Sequence, residues 1–154
     1  MTTLPASATH VRPAGFLTRN VLNRAIAGLA SVGISLYGSR MLWVRGRTTG
    51  QWRRTPVNPL TRHGERFLVA PRGHVQWTKN LRATGGGELR LGRRVEQFTA
   101  VEVPDIDKPE ILRDYLRAWA FEVGAFFDGV NADSPASELQ RISPRHPVFR
   151  ITAV

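Results

Sequence analysis

One short stretch concentrates the chemistry of this chain: Arg45-Gly46-Arg47-Thr48-Thr49-Gly50-Gln51-Trp52-Arg53-Arg54-Thr55-Pro56-Val57. Guanidinium forks grip phosphate and carboxylate, hydroxyls donate, and glycines let backbone amides approach an anion. The segment therefore suits a polyanion. It does not suit nucleotide hydrolysis, because the Lys-Ser/Thr ending of a P-loop is missing. A second element, Ala70-Pro71-Arg72-Gly73, can present amides and another guanidinium at the end of a strand. Trp77 and Asn80 follow three residues apart, hence on one face of a helix. Trp77 suits stacking on a flat ring, and Asn80 suits donation to an oxygen.

Acid-base machinery is scarce. His10, His63, His74 and His146 have no metal-ligand spacing and read as loop or surface residues. Asp105 and Asp107 read as turn and helix-capping residues. Glu110, Asp114 and Glu122 fall on the solvated side of a helix. No cysteine is present, which excludes disulfides, thiolate metal sites and thiol catalysis. An enzyme built this way needs a cofactor to carry its chemistry. The net charge of +10 sits almost wholly between residues 40 and 94, where thirteen basic side chains face two acidic ones. Such a field attracts nucleic acid, anionic lipid or a phosphorylated small molecule.

The elements that position these residues are short. Residues 1–14 read as a loose tail and 15–154 as one domain, a size sufficient for a single core. Apolar residues recur at helical spacing from Phe16 to about Leu36, with Arg19 and Arg24 on the polar face. Strands are expected at Met41–Val44, Arg54–Leu60, Phe67–Ala70, Glu88–Leu91, Arg94–Val103 and Val148–Ile151, with turns at 46–51 and 62–65. Thr84 to Gly87 reads as a glycine loop and Val75 to Ala83 as a short helix. An amphipathic helix runs from Glu110 to about Phe121, with Ile111, Leu112, Tyr115, Leu116 and Trp119 on one face. The pattern predicts an α+β, mainly β fold: a small barrel carrying helices.

Gly46-Arg47-Thr48-Thr49-Gly50-Gln51-Trp52-Arg53 resembles the Gly-Arg-Lys-Ser/Thr-Gly-Gln-Pro-Arg motif of the deazaflavin-dependent nitroreductases and quinone reductases. The resemblance continues through Thr55-Pro56-Val57, Ala70-Pro71-Arg72-Gly73 and Trp77-Thr78-Lys79-Asn80-Leu81. It spans roughly residues 37–103, and more loosely 112–130. It implies a split β-barrel of six to seven strands with flanking helices, binding coenzyme F-420 (8-hydroxy-5-deazaflavin). Arg47, Thr48, Arg53 and Arg54 would meet the anionic tail, and Thr55, Pro56 and Val57 would line the groove. Ala70, Pro71, Arg72 and Gly73 would supply the loop near phosphate or ring, with Trp77 and Asn80 completing the pocket. Hydride would pass to a quinone, nitroarene or activated enone, beside which Tyr37, Tyr115 and Trp119 are candidate neighbours. Thr48 and Trp52 depart from the motif, which has Lys and Pro there. Arg54 is placed to replace the missing charge.

Three rival readings accompany this one. FMN-binding split barrels also need arginines for a phosphate. A nucleic-acid-binding barrel would use Trp43, Trp52 and Trp77 as stacking platforms. A membrane-binding barrel would dock its basic N-terminal helix on anionic lipid, a contact compatible with quinone reduction. The uncharged run from Ala25 to Ser39 is too short to cross a bilayer, so the expected location is the cytoplasm or the inner face of its membrane. A homodimer is implied by the resemblance.

Overall fold

A computed structural model describes residues 38–154. The tail, the helix expected at 16–36 with its membrane contact, and Tyr37 lie outside the described residues. Those described form an antiparallel sheet of seven strands: β1 (Arg40–Arg45), β2 (Trp52–Val57), β3 (Leu60–Arg62), β4 (Glu65–Val69), β5 (Gly86–Leu91), β6 (Arg94–Glu102) and β7 (Val148–Ala153). Their order across the sheet is β2-β1-β5-β6-β7-β4-β3. β2 and β3 are thus opposite edges, yet only Asn58 and Pro59 separate them in sequence. Val57 and Leu60 stand no more than about 11 Å apart. The sheet must therefore curl until its edges meet at that point, giving a split barrel.

Strand alternation sets the inner face. Leu42 and Val44 are fully covered, while the side chains between and beside them, Trp43 and Arg45, face outward. The extended segment begins at Trp52, two residues earlier than the prolines suggest, because Arg45 pairs with Trp52 across the 46–51 turn. The expected glycine loop is strand: Gly86 pairs with Thr99 and Gly87 with Phe98. A Cβ at Gly86 would stand 2.5 Å from the Phe98 carbonyl oxygen, and one at Gly87 equally close to that of Trp43. Those glycines let three strands approach, rather than leaving the sheet.

Among the described residues three α-helices cover the barrel: α1 (Gln76–Thr84), α2 (Pro109–Val123) and α3 (Ala136–Ile142). α1 ends where Gly85 adopts φ +72° and donates to the Leu81 carbonyl at 2.8 Å. α2 begins at a proline, and no side chain caps it. Asp107 therefore lacks the capping role its position suggests. Instead the buried Lys108 ammonium bonds Asp105 Oδ1 at 2.6 Å and the Ser143 carbonyl at 3.0 Å. α3 carries few apolar residues and has no counterpart in the expected elements.

Apolar burial divides into two clusters. One lies inside the curled sheet around Leu42, Val44, Leu68, Leu81, Phe98 and Phe149. The other lies under α2 and α3 around Phe67, Leu112, Tyr115, Leu116, Phe127 and Leu139. Residues of both clusters reach the space between them. Among the described residues no helix is long and apolar enough to cross a membrane.

Candidate functional site

The seam between the two clusters opens as a cleft of about 950 Å³. Leu42, Val44 and Val57 reach it from the sheet cluster, and Val69, Tyr115 and Val123 from the helical one. β2 forms one wall, and because it is an edge strand its successive residues from Arg53 to Val57 border the space. The 46–51 turn closes the rim. Its shape is set by Gly46, which donates to Gln51 O at 2.7 Å, and by Gly50, whose φ of +70° favours glycine. Arg47, Thr48 and Thr49 stand at the tip.

Asn80 fixes that tip from below. It is buried, and its Oδ1 accepts from the Arg47 amide at 3.1 Å and from Arg47 Nη1 at 2.8 Å. Arg47 also donates to Gln76 Oε1. Asn80 thus uses its side-chain oxygen to hold the turn, whereas the sequence reading gave its amide a donor role toward a ligand oxygen. Trp77 lies half-buried beside the cleft, 6.1 Å from Phe149. The N-terminus of α1 opens here too, through Val75 and Gln76, with neither an acidic residue nor a side-chain cap in its first turn. Its free amides add to the positive field.

Eleven of the thirteen residues singled out from sequence border the cleft: Arg47, Thr48, Arg53, Arg54, Thr55, Pro56, Val57, Pro71, Arg72, Trp77 and Asn80. Ala70 and Gly73 stand behind it. Ala70 is fully covered, and its carbonyl accepts from the amide of Gly73 at 3.2 Å. Gly73 has φ +90°, and a Cβ there would meet the Arg145 carbonyl at 3.0 Å. Together they set the loop that presents Pro71 and Arg72.

His146 supports the same loop. It lies in a loop, one of the two positions expected for it, but its ring is buried, stacks 4.2 Å from Phe127, and donates from Nδ1 to the Ala70 carbonyl at 3.2 Å. Burial first of all lowers its pKa below 6.5. Below that value the unfolded chain binds the proton more readily than the folded one. This contribution to stability is complete above pH 6.5 and is lost as pH falls toward the folded pKa. His146→Asn keeps a donor near Nδ1 but cannot titrate. Urea midpoints measured from pH 7 downward should therefore fall less in this variant than in the parent, and parallel curves would contradict the assignment.

Four arginines border the cleft, and among the described residues none of them pairs with a carboxylate. Arg54 instead lies over Trp43, 5.9 Å from its centroid, and Arg72 lies 5.2 Å from that of Phe126. The other sign enters once, through Glu122 at the inner end, near Asn58 and Tyr115. Sequence reasoning assigned Glu122 to solvent. Its spacing of seven from Tyr115 on α2 would have placed both on one face. Trp119, between them, does not border the cleft but packs 5.2 Å from Tyr115.

The F420H(2)-dependent quinone reductase family model matches residues 18–124. The chain belongs to that family. This reductase is therefore an oxidoreductase that uses the deazaflavin coenzyme F-420. No curated protein matches its sequence significantly. Among solved structures, an F420-H2 dependent reductase is similar at 19% identity, covering 75% of this chain and 94% of that one, with a TM-score of 0.51. A structure described as a domain-swapped dimer reaches a TM-score of 0.53 at 17% identity, covering 88% and 97%. A FAD-binding protein from Mesorhizobium loti reaches 0.50 at 13%, covering 85% and 88%. At these identities the likeness is one of fold, and it is the split barrel.

The cleft of the reductase fits its coenzyme on two counts. Its arginines, hydroxyls and free helix amides suit an anionic tail. Its apolar floor and Trp77 suit a planar ring. Among the described residues no cluster of three metal-ligating side chains occurs.

Proposed function

We propose that the cleft between β2 and the Pro71–Trp77 segment is where the reductase holds coenzyme F-420, and that the acceptor is a neutral quinone entering beside Tyr115. When bound and reduced, the coenzyme supplies a hydride. The chain's own residues bind and orient. Arg47, Arg53 and Arg72, with Thr48 and the α1 amides, hold the phosphate and glutamate tail. Thr55, Pro56, Val57 and Trp77 pack on the ring and exclude water, while Ala70, Gly73 and Asn80 hold the loops in place.

The observation that carries this reading is the set of three arginines whose side chains are available to the cleft, Arg47, Arg53 and Arg72, without carboxylate partners and next to an apolar floor, whereas the Arg54 guanidinium lies over Trp43 on the other face of the sheet. Elsewhere arginines such as Arg62, Arg82 and Arg141 are paired on the surface. Concentrated unpaired guanidinium charge is costly by self-repulsion and is relieved by an anionic ligand. The floor argues against nucleic acid, since Trp43 and Trp52 lie on the other face of the sheet under Arg90 and Arg45. A family quinone acceptor and a dimeric structural relative support a neutral quinone and a homodimer, respectively.

Titration of oxidised coenzyme F-420 into the protein, with FMN in parallel, tests the site. Arg53→Ala and Arg72→Ala should each weaken the coenzyme by roughly 10- to 100-fold, the range of about 1.5–3 kcal/mol for charge-assisted hydrogen bonds. Affinity should also fall with salt. Unchanged affinity in both variants, or preference for FMN, would remove this reading of the cleft.

A further inference from the structure

Arg47 stands at the rim of the cleft with one edge of its guanidinium already occupied. Nη1 donates to Gln76 Oε1 at 3.0 Å and to Asn80 Oδ1 at 2.8 Å, which uses both of its hydrogens. Gln76 and Asn80 are one turn apart on α1, so a single helix face supplies both oxygens. Asn80 is buried and also accepts from the Arg47 amide, which makes it the fixed end of the arrangement. Among the described residues Arg47 Nε and Nη2 donate to no oxygen. They form the second edge of the fork, which can take a carboxylate or phosphate side-on.

Both oxygens that hold the Arg47 guanidinium belong to amides, and neither carries charge. At position 76 this runs against local preference. Gln76 opens α1, where the free amides of the first turn favour an acidic side chain. Among the described residues the other two α-helices follow that preference. Glu110 lies in the first turn of α2 and Glu138 in that of α3. Each is ion-paired with an arginine three residues on, at 3.1 and 2.7 Å. α1 has no acid in its first turn. A glutamate there would have the length of glutamine, keep the bond from Arg47, and gain from both the helix and the guanidinium.

We propose that Gln76 is a specificity-determining residue. It positions Arg47 with an uncharged oxygen, so that the guanidinium keeps its full charge for the phosphate and carboxylates of the coenzyme tail. This rests on the cleft being the coenzyme site. A carboxylate at position 76 would neutralise Arg47 from within the protein and repel the tail. The chain forgoes stability at the start of α1 and retains a rim that selects anions. Among the described residues Glu122 is the one acid bordering the cleft, and it stands at the inner end, away from this rim.

The test compares Gln76→Glu and Gln76→Ala with the parent. Without coenzyme, Gln76→Glu should melt about 1–4 °C higher. It should nonetheless bind oxidised coenzyme F-420 on the order of 10-fold more weakly, with a shallower dependence on salt. Gln76→Ala loses one positioning bond and gains no charge, so its Kd should rise only about two- to threefold. The affinities should thus descend from parent to Gln76→Ala to Gln76→Glu. A residue that only positions Arg47 would give the reverse order for the two variants, because the carboxylate keeps the bond. 8-Hydroxy-5-deazariboflavin, which carries the ring without phosphate or glutamate, should bind the parent and Gln76→Glu alike. A Gln76→Glu protein that melts no higher, holds the coenzyme as tightly as the parent, or loses the tail-less ring equally would overturn the proposal. A parent that binds neither molecule would instead overturn the reading of the cleft, and the proposal with it.

Discussion

Phe127→Ala is expected to destabilise the reductase by about 3–5 kcal/mol, the cost of removing a large buried ring and leaving a cavity. Phe127 is fully covered, and its ring stacks on His146 and lies 6.2 Å from Tyr115. The side chain cannot be replaced by collapse from outside, because Leu112, Leu116, Leu139 and Ile142 around it are themselves fully buried. For a chain of this size the loss corresponds to a fall in Tm on the order of 10 °C. Function should suffer in parallel, because the ring backs both Tyr115 and the histidine that holds the Ala70 carbonyl. Ile106→Ala, at a side chain 77% exposed, is the control and should change Tm little. Differential scanning calorimetry of the two variants checks the contrast, and equal melting temperatures would contradict it.

Gly87→Ala should be comparably severe although it adds one methyl. The new Cβ would stand 2.5 Å from the Trp43 carbonyl oxygen, a backbone atom that cannot turn aside. It would also press on the Phe98 ring at 3.3 Å and on Val44 at 3.4 Å. Relief requires β1 and β5 to separate, which breaks their ladder at Trp43 and Glu88. A cost of roughly 3 kcal/mol follows from such overpacking. The natural comparison is Gly124→Ala. Its φ of −54° suits any residue and its nearest neighbour is the Ala120 methyl at 3.7 Å. That substitution should raise stability by about 0.4–1 kcal/mol through the unfolded chain. Opposite signs in urea denaturation are the expected result; a Gly87→Ala protein as stable as the parent would refute the close approach.

Much of this was legible in the residues. The strands around the 46–51 turn, the α1 and α2 helices and the hairpin at Gly92 follow from alternation, periodicity and turn chemistry. The anion-binding character of Arg47 to Arg54 was equally plain, since composition alone carries it. What could not be read was tertiary. Gly86 and Gly87 look like a loop because glycine signals flexibility in sequence, whereas here it marks strands in close contact. The burial of His146 in its loop and the place of Glu122 at the cleft are not legible, because polarity is the only local cue. Their neighbours, Phe127 for one and Asn58 for the other, lie 19 and 64 residues away in the chain. Ala70 and Gly73 belong to the motif without bordering the cleft, since a motif records what shapes a loop as well as what touches a ligand.

The place of β7 has a consequence for the order in which the molecule can be built. This strand, the latest in sequence, pairs with β6 on one side and with β4 on the other. Without it the sheet is two pieces, β2-β1-β5-β6 and β4-β3. A chain emerging from the ribosome therefore displays the arginine-rich turn and both of its strands long before anything can curl them into a barrel. The partners Leu68 and Phe149 wait on each other across about 80 residues of intervening chain, and such distant pairings form slowly. During that interval β4 and β6 expose unpaired edges at which another chain can add. The strand that completes the cleft is thus also the one that ends its vulnerability to association.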